Sequence, residues 1–294
     1  MKEISPIPVR HHRLRLPQGT IFWHEAGRGD TVLFLHGTWH DSSQWGALLQ
    51  TLAPTFHCVA PDFLGFGESS AAFSSYSIAL ETETLEALLT QLRVEQVYVV
   101  AHSLGAWVGF NLAQQYPDRV QGIIVMEPEG FAPQALGHRW TLDRWLIAPW
   151  SPLAWGLQVM TPLQQRLRWP GWLSQLRQRR QRLRHAPAAT QLLFRRRQAE
   201  IGSEMVTTQS PTGPTSVIVL ESAHGSPQAH HLSQACLQSF PHARHQIVPE
   251  AANPLGLKQA AVVDALSDLI DTVHDRPIPD NPRSHGFHQP IVSR

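Results

Sequence analysis

The sequence predicts an α/β protein built on a mostly parallel β-sheet with helices on both faces. Two observations carry this: short apolar, β-branched runs alternate with longer segments of helical spacing, and the alternation is broken once, from Phe131 to Pro214, by a stretch of different composition. The strand-like runs are Thr31 to Leu35, His57 to Ala60, Gln96 to Ala101, Gly122 to Met126, Ser216 to Leu220 and Arg244 to Val248. Being short and apolar, most of them suit strands buried on both faces. Two amphipathic strands near Arg13 and Phe22 are expected to precede them, and helical spacing recurs over Ser77 to Leu92, Leu104 to Gln115 and Ala260 to Val273.

A chain of 294 residues with 42% hydrophobic and 16% charged residues can bury one sizeable core carrying an insertion. The expected division is a core from residues 1–130 and 215–275, a helical cap over 131–214, and an aperiodic Pro-rich tail, 276–294, disordered or draped on the surface. A formal charge of +1 gives no reason to expect nucleic acid as a partner. The two cysteines, Cys58 and Cys236, are expected to pack as small buried hydrophobes rather than to bridge. With no apolar signal-type segment at the N-terminus and no run of the roughly 18 to 20 apolar residues a membrane span needs, a cytoplasmic location is expected, with peripheral membrane contact left open.

The strongest chemical signal is Val99-Val100-Ala101-His102-Ser103-Leu104-Gly105-Ala106, a strand run followed at once by a helix run. A sharp strand-to-helix turn would place the Ser103 hydroxyl at the sheet edge above a helix N-terminus, where small flanking residues permit the turn. The plain alternative is an ordinary serine N-cap. Upstream, His36-Gly37-Thr38 closes a strand, so that the Thr38 and Leu104 N–H groups could form a two-donor oxyanion hole. A turn-rich loop, Asp62-Phe63-Leu64-Gly65-Phe66-Gly67-Glu68-Ser69, follows the next strand.

Taken together, these ordered motifs resemble the α/β-hydrolase superfamily, with HG followed by a Trp such as Trp45, then DxxGxGxS, then the nucleophile elbow AHSLG. The resemblance covers roughly residues 20 to 275 and implies an eight-stranded-type sheet with the helical cap inserted after the sixth strand. It also implies a catalytic acid and a histidine, and here the chain departs from the pattern. Gly225 falls where the Asp after Ser216 to Leu220 would stand, and Asn253 occupies the place of the histidine. Glu127, ending a strand in the phrase MEPEG, is the first substitute acid, because some superfamily members, haloalkane dehalogenases among them, carry the acid there; Glu129 is the second. A strand-end carboxylate at a turn is the plain alternative. Dehalogenation itself is not expected, since that chemistry uses a carboxylate nucleophile.

No residue replaces the histidine as directly. His224 ranks first among unorthodox bases, ahead of His242, His245 and His40, while His36 and His102 fit structural roles. Two functions follow. One is an esterase- or lipase-like serine hydrolase acting on a small apolar ester or lipid-like substrate, with no metal or other cofactor. The other is a catalytically silent member of the fold that binds a ligand, a membrane surface or a partner protein.

The cap window holds twelve arginines against three acids and six of the ten tryptophans, which leaves the window at +9 and the rest of the chain at −8. Trp with Arg suits a surface in the headgroup layer of a membrane. It suits a protein interface as well. A solvated amphipathic cap is the third reading.

Overall fold

The runs richest in β-branched and aromatic residues form the centre of one sheet, because only strands covered on both faces can be apolar throughout. The computed structural model describes residues 7–72, 75–131, 141–148, 151–152, 156, 171–206, 216–249 and 259–275. Its strands are β1 (Arg10–Leu16), β2 (Gly19–Ala26), β3 (Thr31–Leu35), β4 (His57–Pro61), β5 (Ser70–Ala71), β6 (Val97–His102), β7 (Val120–Met126), β8 (Ser216–Ser222) and β9 (Arg244–Val248). The order across the sheet is β1-β2-β4-β3-β6-β7-β8-β9, with β5 pairing to β2. Pairing is antiparallel among β1, β2, β4 and β5 where β2 is a partner, and parallel from β4 through β9.

The two-residue β5 was not expected from the sequence. It makes nine strands where eight were anticipated, so the insertion that was to follow the sixth strand follows β7, the seventh. Two residues carry too little pattern to read as a strand. Their pairing is decided by Gly19 (φ +154°), where a Cβ would lie 2.1 Å from the Ser70 carbonyl oxygen.

Helices α1 (Gly46–Leu52), α2 (Ile78–Gln91) and α3 (Leu104–Gln115) cover the sheet, together with helices Pro227–Ser239 and Gln259–His274. Ser77 caps α2, its hydroxyl accepting from the Leu80 N–H at 3.0 Å. Ten of the twelve residues of α3 are buried, as a helix packed on all sides requires. One large cluster, including Leu33, Val99, Leu104, Trp107, Phe110 and Ile123, fills one face of the sheet. Val32, Phe34, Tyr98, Val100 and Ile124, with Leu266 and Leu269, fill the other. Cys58 and Cys236 are free and buried, with both thiols pushed up to about 12 by desolvation.

Between β7 and β8 the described residues are helical: Thr141–Ile147, Gly171–His185, Pro187–Thr190 running into a π-helical turn Gln191–Arg195, and Gln198–Ser203. The tail 276–294 lies outside the described residues. Among the described residues no helix is long and apolar enough to cross a membrane.

Two buried titratable groups in this core set a pH dependence. Glu81 on α2 accepts the Leu64 N–H at 3.0 Å, and burial pushes its carboxyl from 4.5 to about 8. Burial pushes His36 from 6.5 to about 4, and the backbone holds it neutral: Nδ1 bonds the Gly37 carbonyl at 2.9 Å and Nε2 accepts the Phe63 N–H at 3.0 Å. Between pH 4 and 6.5 the unfolded chain takes up a His36 proton that the folded chain refuses, so stability rises with pH. From pH 4.5 to 8 the folded chain keeps a Glu81 proton that the unfolded chain has lost, so stability falls. The two offset between pH 4.5 and 6.5, and only the Glu81 effect remains above that. At about 1.4 kcal/mol per proton and pH unit, stability drops by about 2 kcal/mol from pH 6.5 to 8. Urea titrations across that range should show the drop in the wild type and a flatter profile in Glu81→Gln. An equal slope in both would assign it elsewhere.

Candidate functional site

The carboxyl ends of the parallel strands converge on Ser103, which sits between β6 and α3 in a strained conformation, φ 52° and ψ −111°. A non-glycine residue there costs about 1–3 kcal/mol and persists only when its surroundings over-determine it. They do so here on three sides. The Ser103 N–H donates to the Met126 carbonyl at 2.9 Å, and the Ser103 carbonyl accepts the Ala106 N–H at 3.1 Å and the Glu129 N–H at 3.2 Å. Beneath the turn, a Cβ on Gly105 would stand 2.3 Å from the Leu35 carbonyl oxygen, so α3 can approach β3 this closely only with glycine at that position. Ala101, where the family pattern has its first glycine, is fully buried and pairs with Leu35 without distortion of the register.

The same register carries β3 onward into His36, Gly37 and Thr38 beside His102 and Ser103. Gly37 lies against the His102 ring, since a Cβ there would meet Nδ1 at 2.5 Å. Thr38 is buried, and among the described residues neither the Thr38 nor the Leu104 N–H is taken by a backbone acceptor. Asp62 braces this region from below: Oδ1 accepts the Ser42 N–H at 2.7 Å and Oδ2 the Glu68 N–H at 2.7 Å. The turn-rich loop after β4 is thus a buttress, with Gly67 at φ +48° clearing the Asp62 carboxylate. Trp45 stacks obliquely on Phe34 and serves the core.

The carboxylate that meets the serine is Glu129, the second of the two expected acids. Ser103 Oγ donates to Glu129 Oε1 at 2.8 Å in a buried setting. Glu127, the first choice, turns aside: its Oε2 lies 3.8 Å from His102 Nε2, and its side chain is 30% exposed. Glu127 takes a positive φ of 49° directly after β7 ends at Met126, so the chain turns there instead of continuing the strand. Gly130, at φ +103°, then packs on Trp107, where a Cβ would come within 2.6 Å of the indole, and this holds Glu129 over Ser103. Only the glycine after the second glutamate hints at this in the sequence.

Among the described residues no imidazole hydrogen-bonds Ser103. Both ring nitrogens of His102 are buried without a hydrogen bond, and its ring faces His40 at 5.7 Å. Burial and the neighbouring His102 hold His40 below the ordinary histidine range. His224 is exposed on the turn after β8, and His242 is exposed as well. His245 and His230 share Glu221, at 2.9 Å and 2.5 Å, and no bond joins either to Ser103. Gly225 lies on that same exposed turn, its N–H donating to the Ser222 carbonyl at 2.9 Å, so no acid reaches the site from the usual position. Asn253 lies outside the described residues. Among the described residues no group of three potential ligands could hold a metal ion.

Comparison with known proteins agrees with this architecture. The family model described as the alpha/beta hydrolase fold matches residues 30–254. A haloalkane dehalogenase of Bradyrhizobium diazoefficiens is 35% identical over 125 residues, 42% of this chain and 40% of that protein. The matched stretch therefore spans about two fifths of that relative's length. Among solved structures, a thermophilic esterase from Thermogutta terrifontis superposes with a TM-score of 0.65 at 19% identity, covering 90% of this chain and 99% of that one. A loop variant of a haloalkane dehalogenase from Bradyrhizobium elkanii gives 0.62 at 20% identity, covering 92% and 98%. At such identities these two speak for the fold.

Proposed function

Because this chain belongs to the α/β-hydrolase-fold family, we propose that it is a serine hydrolase acting on an ester or related acyl bond, with Glu129 in the role that a histidine usually fills. The observation that carries the reading is the 2.8 Å hydrogen bond from Ser103 Oγ to the buried Glu129 carboxylate, made at a strained turn that a purely structural serine would not need.

The reaction follows from these positions. Ser103 Oγ attacks the acyl carbon while its proton passes to Glu129. The tetrahedral oxyanion is held by the Thr38 and Leu104 N–H groups, the latter at the positive end of α3. Collapse expels the alcohol, which takes the proton back from Glu129. Water then attacks the acyl-serine by the same route, releasing the acid and restoring Ser103. A dehalogenase reading, suggested by the names of relatives such as the one from Bradyrhizobium diazoefficiens, is not supported by a hydroxyl at the nucleophile position.

A second reading rests on Gly225 and Asn253, which stand where the family acid and base are found. It makes the chain a silent, ligand-binding member of the fold. Fluorophosphonate labelling separates the two. Labelling of the wild type and not of Ser103→Ala, with turnover of short p-nitrophenyl esters following suit, is the expected result. Failure of both in a folded wild type would leave the binding role.

A further inference from the structure

The short cap helix Thr141–Ile147 is built inside out for a soluble surface. It buries Asp143 and Leu146 while leaving Leu142 41% and Trp145 53% exposed. At 100° per residue Asp143, Leu146 and Ile147 share one side, which docks on helix Gly171–His185 through Leu176 and Leu183. Arg179 clasps the buried Asp143 with two bonds, 2.5 Å and 2.9 Å, so the orientation is locked and Trp145 is held outward. An exposed tryptophan fixed in this way is not the outcome of a loose helix.

Along Gly171–His185, Arg177, Arg180 and Arg184 recur at i, i+3 and i+7, forming a stripe that flanks the Leu176–Leu183 seam. Arg180 reaches the C-terminal end of the short helix, its Nε donating to the Leu146 carbonyl at 3.0 Å, which ties the stripe to the helix that carries Leu142 and Trp145. Among the described residues no acid forms an ion pair with Arg177, Arg180 or Arg184. Burial, with Arg184 adding a like charge, holds Arg180 below the ordinary guanidinium range. The three acids of the described cap are engaged elsewhere: Asp143 with Arg179, Glu204 with Arg196 at 2.5 Å, and Glu200 with the Arg197 N–H at 3.3 Å. Arg144, on the short helix itself, has a buried Nε without a hydrogen-bond partner.

We propose that this face docks on the surface of an anionic phospholipid bilayer, with Trp145 and Leu142 entering the headgroup layer and Arg177, Arg180 and Arg184 meeting lipid phosphates. An aromatic and a leucine beside unneutralised guanidinium groups match an interface that is apolar below and negative above. The cap's charge of +9, against −8 for the rest of the chain, presents that face first to a negative surface and turns the acidic body away. This inference stands apart from the chemistry at Ser103, and would place the proposed esterase beside acyl chains.

Vesicle flotation of the full chain tests it. The wild type should float with vesicles of phosphatidylcholine containing one third phosphatidylglycerol at low salt, and bind pure phosphatidylcholine poorly. Partitioning should fall about fivefold for each of Arg177→Gln and Arg184→Gln, and about tenfold for Trp145→Ala. Ser103→Ala should float as the wild type does, and Trp145→Ala should keep its fluorophosphonate labelling, so the two proposals fail separately. Absence of wild-type binding to the anionic vesicles, or equal binding by all cap variants, overturns the inference. So does a wild-type dimer that Trp145→Ala turns into a monomer without any vesicle binding, which would make the face a contact between copies.

Discussion

Replacing Glu129 with glutamine should cut acylation of Ser103 by about a hundredfold to ten-thousandfold while leaving the fold intact. The substitution is nearly isosteric, and the amide oxygen can still accept the hydroxyl that now donates to Oε1 at 2.8 Å. What it cannot do is take the proton. Geometry and proton transfer are thereby separated, and the loss should appear in the rate of fluorophosphonate labelling and in kcat, with thermal unfolding shifted little. Glu127→Gln is the matched comparison, since its carboxylate faces His102 at 3.8 Å and is 30% exposed. That variant should stay within a few fold of the wild type. The reverse ranking would return the acid to Glu127 and make the Ser103–Glu129 bond a structural tie.

Gly105→Ala should be strongly destabilising for a single added methyl. Helix propensity favours alanine by about 1 kcal/mol, but the new Cβ would lie 2.3 Å from the Leu35 carbonyl oxygen, 2.6 Å from its carbon and 2.8 Å from the His36 oxygen. These are backbone atoms of β3 and its exit, so no rotamer change relieves the overlap and α3 must lift from the sheet. Overpacking of this kind costs about 1–3 kcal/mol and occasionally more, and an overlap with three backbone atoms belongs at the upper end of that range. The clash therefore outweighs the propensity gain, and urea unfolding should show a net loss of about 2 kcal/mol. Labelling should fall further than stability does, because lifting α3 moves the Leu104 N–H and Ser103 away from the 36–38 loop, and misplacement by 1 Å can cost about a hundredfold. Gly202→Ala is the control. Nothing lies within 4 Å of its Cβ, and the change should be neutral or slightly stabilising.

Legibility differed between the sheet and the site. Strands buried on both faces announce themselves by unbroken apolar runs: β3 falls on the expected residues and β7 is extended by two at its start, while β9, an edge strand that is mostly exposed, keeps its expected bounds without that signal. Helix α3 matches its expected span of Leu104 to Gln115 because the elbow before it and the apolar spacing within it agree. The acid could not be read in the same way. The place at the end of β7 and the family resemblance point to Glu127, yet that residue takes a positive φ and it is Glu129 that meets Ser103. Non-glycine residues adopt such a φ only under tertiary constraint, which no local pattern encodes. The histidines show the same limit, since their roles depend on which carboxylate each one meets across the sheet, as His245 and His230 do at Glu221.

By itself, then, the sequence determined the architecture, the Ser103 elbow and the basic, tryptophan-rich composition of the segment between β7 and β8. Those properties are local, resting on periodicity, turn chemistry and residue counts. Only the tertiary structure decided that Glu129 rather than Glu127 holds the Ser103 hydroxyl, that Gly105 is fixed by the Leu35 carbonyl, and that Trp145 faces outward beside an arginine stripe. Each of these depends on residues distant in the chain meeting at contact range, where a change of one backbone angle selects which side chain arrives.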